Sequence, residues 1–477
     1  LKGGKIAYST DTTSYFRFHS SNSSAKTYTN SNYYTEHEKV ASLVRNLYHV
    51  DRSVIERNHE KIRKFYHEHI NGTDEEFESY YSIERAMKWL PDLKKVEAKI
   101  SQQKNKYNKN YESVLVDPIK SATDSDEVSF EKKMEYVGAN TGNMLFVSAV
   151  KEQVEYIDEI WFNGRDLGAL DSKQPVAAVI PSSNFIIAGS DNMVDRMRQM
   201  YEQTDCPITM AGLGAQAYAP YNTPRKLVEI LSDNKIKFFQ MAAERAVSLG
   251  VRGEFTAECL EIMGIKNYRI IGCPTCFKYF DGIYKPLAKP TADKMIFTVT
   301  GKNSGESGIL DFGMKNNGTL LMQMVTEMPQ ILFGEDITDE QFEKSFPDLG
   351  IEKQVYIDYV KEHGKIFFDM DKWNKFMQDE KFTFSFGSRF HGNMSALRNG
   401  IPSLWITHDS RTSELINTLK LPHISISEFK NIESMDQLLE KCDYTEFYKA
   451  YGQLCREYAA FLDENGLKNK FEFEKKA

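Results

Sequence analysis

From about residue 132 onward, short apolar runs alternate with amphipathic helical patterns, and this alternation restricts the chain to parallel strands joined by helical crossovers. "MEYVG" (134–138) is expected as the first strand, followed by the turn "ANTGN" and the helix "MLFVSAVKEQVEYI". The stretches "VAAVIPSSNFIIAG", "CPITMAGLGAQA", "RAVSLGVRG" with the helix "EFTAECLEIMGI", and "NYRIIGCP" carry the pattern on to about residue 285. After the connector "YKPLAKPTADK", the run "MIFTVTG" opens a second half. That half passes through "KIFFDM", "FTFSFGSRFHG" and "PSLWITHD" to a closing helix, "DYTEFYKAYGQLCREYAAFL". Two such halves predict an α/β, GT-B-like fold. Its two Rossmann-like domains, 132–288 and 289–477, would face each other across a cleft, the second carrying the C-terminal helix.

Residues 1–131 have a different texture and are expected to form a mainly helical N-terminal extension. Val40, Leu43, Val44 and Leu47 recur at the spacing of one buried helix face, and Ile62, Phe65, Tyr66 and Ile70 mark another. Thr73 with Glu76 three residues later has the form of a helix start. "KVEAKISQQKNKYNKNYESV" is expected as a solvated helix face.

A net charge of −8 disfavours a nucleic-acid binder. No run approaches the ~18 apolar residues of a membrane span. The opening "LKGGKIAYSTDTTSYF" has neither an initiator Met nor the apolar core of a signal peptide, as expected of a trimmed chain. Six scattered cysteines do not make a disulfide framework, which points to a reducing compartment, the cytoplasm. Cys273-Pro-Thr-Cys276 has redox or zinc spacing but lacks a second close ligand pair, so a turn at Pro274 is expected. Asn71-Gly-Thr73 and Asn393-Met-Ser395 are expected to be chance glycosylation matches.

In open α/β sheets ligands bind beyond the carboxyl ends of the strands, where helix N-termini favour anions. Four glycine-bearing turns belong at such places: "GANTGN" (138–143), "GLGAQ" (212–216), "GVRGEFT" (250–256) and "GSRFHGN" (387–393). Arg389 offers a planar fork for phosphate or carboxylate, and His391 can donate to phosphate or move a proton. Alternatively, Arg389 makes a buried structural ion pair and His391 caps the helix. In "ITHDSRTSELI", Arg411 is a second candidate anion ligand beside His408, Asp409 and Glu414. Asp409 would orient Arg411 or a sugar hydroxyl, or simply cap the next helix. Arg252 would face the cleft from the first half, or lie on the surface.

"GSRFHGNMSALRNGIPSLWITHDSRTSEL", with "NTGNMLFVSAV", "GLGAQ" and "VRGEFTAECLEIMGIKNYRIIGCP", resembles the polysaccharide pyruvyl transferases over about residues 133–425. The resemblance implies a GT-B-type protein that moves the enolpyruvyl group of phosphoenolpyruvate onto a sugar, leaving a pyruvate ketal across two hydroxyls. It matches Arg389 and His391 to the family's phosphoenolpyruvate-binding Arg-x-His, and Arg252 to an arginine of its first half. With the turn residues read above, the residues expected to bind substrate are Asn140, Gly142, Asn143, Gly214, Gln216, Arg252, Gly392 and Arg411, and those expected in catalysis are Arg389, His391 and Asp409. Glu414 is a further candidate base. One departure stands out: the family's Asn-x-Gly-Asp turn reads Asn140-Thr141-Gly142-Asn143 here. Asn caps a helix about as well as Asp but cannot act as a carboxylate acid or base.

The expected partners are phosphoenolpyruvate as donor substrate and a glycan or lipid-linked sugar as acceptor, with no resident cofactor or metal. A lipid-linked acceptor would bring the protein to the inner face of the cell membrane. Two other readings remain open: a GT-B glycosyltransferase gripping the diphosphate of a nucleotide sugar, and a non-catalytic glycan- or partner-binding protein.

Overall fold

The computed structural model describes residues 31–48, 50–70, 72–88, 113–119, 127–156, 158–161, 177–204, 206–218, 222–301 and 304–473. Two compact units divide the chain, Leu1–Asn110 and Tyr111–Ala477.

In the first unit, helices Ser31–Tyr48, Arg52–His69, Asp74–Tyr80 and Ile83–Lys88 surround a core that includes Tyr34, Ile55, Tyr66, Phe77 and Tyr81. The expected helix start forms a reciprocal cap between Thr73 and Glu76. Val40 departs from the expected buried stripe and is 47% exposed; Tyr34 and Ala41 carry the inner face of that helix instead. Asn71, the Ser/Thr-rich opening and most of the polar run 95–114 lie outside the described residues.

The second unit holds two parallel sheets. Strands β1 (Ser113–Asp117), β2 (Asp158–Trp161), β3 (Ala177–Pro181), β4 (Ile186–Ile187), β5 (Ile208–Leu213), β6 (Ala215–Gln216), β7 (Leu249–Val251) and β8 (Tyr268–Ile270) belong to its first half. Six of these form one sheet in the order β2-β1-β3-β5-β7-β8, while β4 and β6 pair separately. The second half contributes β9 (Met295–Thr298), β10 (Thr319–Leu321), β11 (Gly364–Lys365), β12 (Phe384–Gly387), β13 (Ser403–Thr407) and β14 (His423–Ser425). They form a sheet in the order β11-β10-β9-β12-β13-β14. The strand order reverses between β9 and β12, so a ligand crevice is expected where their carboxyl ends diverge.

One expected element changes type. Met134–Gly138 is not a strand; it ends the helix Phe130–Tyr136 and the turn after it. Phe130, Met134 and Val137 are buried at helical spacing, which the short "MEYVG" window concealed. The first strand is β1, whose "SV" ends the polar run read as a solvated helix face. The sheet therefore begins before the boundary expected at residue 131.

Five helices position the site: α1 (Asn143–Gln153), α2 (Glu254–Ile262), α3 (Phe390–Arg398), α4 (Ser410–Leu419) and α5 (Thr445–Glu464). A continuous apolar core joins the halves, with Leu115, Val179 and Ala211 of the first sheet packed in one cluster with Phe390, Met394, Trp405 and Leu419. Helix α5 crosses back to the first half. Asn465 just beyond it accepts from the Val247 N–H at 3.0 Å, and Arg269 pairs with Glu457 and Glu464 at 2.8 and 2.6 Å. The architecture is α/β and GT-B-like. No helix among the described residues is long and apolar enough to cross a membrane.

Candidate active site

Residues from both halves line one cavity of about 1100 Å³ at the carboxyl ends of the strands. Its walls bring together Asn140, Asn143, Gln216, Arg252, Arg389, His391, His408, Asp409 and Arg411, which the sequence distributes over about 270 positions.

Arg389 sits at the switch point. Gly387 ends β12 with φ +136°, and a Cβ there would lie 2.0 Å from the Thr298 carbonyl of β9. A residue without a side chain is required for the chain to turn against its neighbour strand. The turn delivers Arg389 to the position just before α3, where its Nε donates to the Val299 carbonyl and to Glu327 Oε1, both at 2.9 Å. Glu327 is fully buried and also binds Nη2. The ion-pair alternative for Arg389 is thus realised along one edge of the guanidinium, while the residue still lines the cavity. Burial pushes the Glu327 carboxyl up to about 7, against the attraction of Arg389.

His391, in the first turn of α3, faces the same cavity and does not cap the helix. Its Nε2 lies 3.7 Å from the Cys273 thiol, and no carboxylate among the described residues pairs with it. Burial, reinforced by the charges of Arg252 and Arg411, holds the imidazole well below its usual range. It is neutral near pH 7, so the resting site does not present the imidazolium that spacing alone would allow.

Arg252 follows β7 and is 2% exposed, not on the surface. Nε donates to the Gly212 carbonyl at 2.8 Å, Nη1 to Asn184 Oδ1 at 2.5 Å and Nη2 to the Ser182 carbonyl at 3.3 Å. No carboxylate among the described residues forms an ion pair with it. Burial, with Arg411 nearby, draws its pKa below the usual value against the pull of Cys273 and Glu414. Gln216 accepts from Asn184 Nδ2 at 3.1 Å and so braces the partner of Arg252.

Arg411 lies in the first turn of α4. Its Nε is buried with no hydrogen-bond acceptor, 3.8 Å from Asp409 Oδ2. Asp409 caps α4 by accepting from the Thr412 N–H at 2.7 Å. Burial opposes its ionisation, but Arg411, His408 and that N–H outweigh it and hold the carboxyl below its usual range. It is the sole carboxylate among the described lining residues.

The predicted glycines stand behind the lining and make room for it. A Cβ on Gly214 would meet Arg252 Cδ at 2.7 Å, one on Gly142 would meet Gln323 Oε1 at 2.8 Å and His391 Cβ at 3.0 Å, and one on Gly392 would meet Gln323 Nε2 at 2.5 Å. The Asn140 side chain accepts from the Gly142 N–H at 2.9 Å, and Thr141 N–H donates to the Gln323 carbonyl at 3.0 Å, fastening this turn to the second half. Asn143 opens α1 and donates Nδ2 to the Val137 carbonyl at 2.9 Å, a bond that an aspartate could not make while ionised.

Glu414 does not reach the cavity as a base. Its two oxygens accept from the Thr256 N–H at 2.6 Å and the Thr256 hydroxyl at 3.0 Å, so α4 of one half holds the start of α2 of the other. Cys273 and Cys276 flank a short 3-10 turn at Pro274, as expected. No group of three metal-ligating side chains gathers among the described residues. Sequence reasoning missed Glu327 and Asn184. The only trace of Asn184 was its place just after an apolar run, and that of Glu327 a lone charge in "QMVTEMPQ".

The arrangement is a polar crevice with three guanidinium groups, Arg389 paired with Glu327, Arg411 3.8 Å from Asp409 and Arg252 without an ion-pair partner among the described residues, and it suits a small anion. Several solved structures share low overall similarity with the chain. A putative UDP-N-acetylglucosamine 2-epimerase from Listeria monocytogenes is 12% identical with a TM-score of 0.34, covering 75% of this chain and 94% of its own. The glycotransferase of kitacinnamycin is 10% identical at TM-score 0.30, covering 74% and 99%. A UDP-glucosyltransferase from Polygonum tinctorium is 9% identical at TM-score 0.29, again covering 74% and 99%. No curated protein matches the chain. The profile of the family described as polysaccharide pyruvyl transferase matches residues 37–410, most of the sequence. The chain belongs to the polysaccharide pyruvyl transferase family.

Proposed function

We propose that this protein transfers pyruvate from phosphoenolpyruvate to a sugar of a cell-envelope polysaccharide or its precursor, forming a pyruvate ketal. The observation that carries this reading is the set of Arg252, Arg389 and Arg411 on one cavity, with Arg411 Nε lacking a hydrogen-bond acceptor and Arg252 an anionic partner among the described residues. A buried cation without a counter-charge is costly, and a trianionic donor bearing phosphate and carboxylate supplies that charge.

In this scheme Arg252, Arg389 and Arg411 clamp the donor and stabilise the departing phosphate. Asp409 keeps Arg411 aimed inward; being held ionised with low basicity, it is a poor proton acceptor. His391, neutral at rest, gains a proton as the trianion arrives and can deliver it to C3 of the enol. Positive character then develops at C2, where a sugar hydroxyl adds. Phosphate leaves, and a second hydroxyl closes the ketal. The acceptor reaches C2 through the remaining polar part of the cavity, lined by Asn140, Asn143 and Gln216.

The test is a thermal-shift comparison of phosphoenolpyruvate with sugar nucleotides, followed by phosphate release in the presence of cell-envelope glycans. Stabilisation by phosphoenolpyruvate, and phosphate release lost in Arg389→Ala, are expected. Stabilisation by a nucleotide alone would replace this reading with glycosyl transfer, and binding without turnover would leave a glycan-binding protein.

A further inference from the structure

We infer that His408 is the general base that takes the proton of the attacking sugar hydroxyl, and that buried Glu306 is the positioning residue that sets its ring. This inference rests on the proposed pyruvyl transfer and names a base for it, in place of Asp409 and Glu414. His408 follows β13 and lines the cavity, its side chain 14% exposed. Behind it, Glu306 is fully buried on the helix Ser304–Lys315. One oxygen of Glu306 is fixed by the Thr300 N–H and the Ser388 hydroxyl, each at 2.7 Å. Its other oxygen lies 3.5 Å from His408 Nδ1.

That separation exceeds a formed hydrogen bond, as acid–base pairs often do before substrate binds. A carboxylate facing Nδ1 favours the tautomer with hydrogen there and leaves Nε2 as the proton acceptor. Nε2 lies 3.8 Å from Asp409 Oδ2. The charged and titratable groups that share this cavity come from four elements. Asp409 and Arg411 flank the ring on its own segment, Arg389 and His391 come from the start of α3, and Arg252 and Tyr218 from the first half. With Glu306 behind, the ring has a carboxylate on each side, whereas His391 has guanidinium groups. The two histidines are therefore biased toward opposite roles: His391 to give a proton once the donor binds, His408 to receive one.

The step balances without an oxidant or reductant. The acceptor oxygen bonds to C2 as its proton passes to His408 Nε2, and C3 takes a proton. The C2–O bond to phosphate then breaks with its electron pair on phosphate. The second hydroxyl of the same sugar bonds to C2, its proton replacing the one given to C3, and the proton held on His408 leaves with the phosphate. One phosphoenolpyruvate and one diol yield one ketal and one hydrogen phosphate.

The experiment is the pH dependence of kcat and kcat/KM for wild type, His408→Gln, Glu306→Gln and Glu306→Asp, with phosphoenolpyruvate binding measured for each. His408→Gln is expected to lose about 10²–10⁴-fold in kcat and the acidic limb of the profile, with donor affinity kept within about threefold. Glu306→Gln is expected to lower kcat with donor affinity kept, and Glu306→Asp to restore kcat in part. Wild-type protein that binds no phosphoenolpyruvate or transfers no pyruvate refutes the underlying reading. Wild-type transfer with an unaltered rate and acidic limb in His408→Gln overturns the base alone. If His408→Gln does not fold, Glu306→Gln decides, since an unaltered kcat there also overturns it.

Discussion

Replacing Arg252 with methionine separates a structural arginine from one kept for a ligand. The residue is 2% exposed and its guanidinium donates to two backbone carbonyls and one amide oxygen, with no anionic partner among the described residues. Each of those bonds contributes roughly 0.5–1.5 kcal/mol net. Against them stands the burial of an uncompensated cation, several kcal/mol even after relaxation. Methionine retains most of the apolar volume, so the two changes nearly cancel, and unfolding of the free variant is expected within about 2 kcal/mol of wild type. The same substitution removes a desolvated charge facing the donor, which typically costs about 2–5 kcal/mol of binding. Denaturant unfolding followed through the buried Trp373 and Trp405, with and without phosphoenolpyruvate, reads both quantities. Wild type should gain about 2.7 kcal/mol at a donor concentration of 100 times Kd, and Arg252→Met less than about 0.9 kcal/mol at that concentration. A variant that unfolds far more easily yet binds the donor as tightly as wild type would show that Arg252 serves the fold, and the clamp argument would fail.

Donor binding should take up a proton at His391, because a trianion beside a depressed imidazole favours its charged form. Titration calorimetry in buffers of different ionisation enthalpy should reveal an uptake that shrinks in His391→Asn; equal uptake in both refutes it. Glu414→Ala removes both acceptors for Thr256 and should cost roughly 2–4 kcal/mol of stability, with Glu414→Gln costing less; equal effects would contradict the latch. Burial raises Glu327 and Glu414 from 4.5 to about 7, so the folded state holds protons that the unfolded chain releases. Their contribution to stability should therefore fall as pH rises from about 4.5 to about 7. Glu327→Gln/Glu414→Gln should flatten that part of the stability profile, and an unchanged slope would contradict the assignment.

The parallel architecture was legible because strands buried on both faces read as continuous apolar runs, as in "VAAVI" and "PSLWI". Arg389, His391, Arg252 and Arg411 could be found because each follows such a run within a few residues. Met134–Gly138 misled because five residues cannot distinguish alternation from helical spacing, and β1 was hidden by the polar run before it. Glu327, Glu306 and Asn184 act through contacts made 60 to 100 positions away in sequence, which local pattern cannot register. Glu414 was misjudged as a base for a related reason: it stands near the cavity in sequence, but its oxygens are taken by Thr256, whereas Asp409 caps α4 beside Arg411, one of the roles expected of it.

The most direct test is incubation with phosphoenolpyruvate and isolated cell-envelope glycans, with the glycan read by mass and phosphate release measured in parallel. The glycan is expected to gain one pyruvate less one water, matched by one phosphate, and neither change is expected with Arg252→Met or Arg389→Ala. Phosphate release with no mass gain, or a gain that survives loss of both arginines, would contradict this reading.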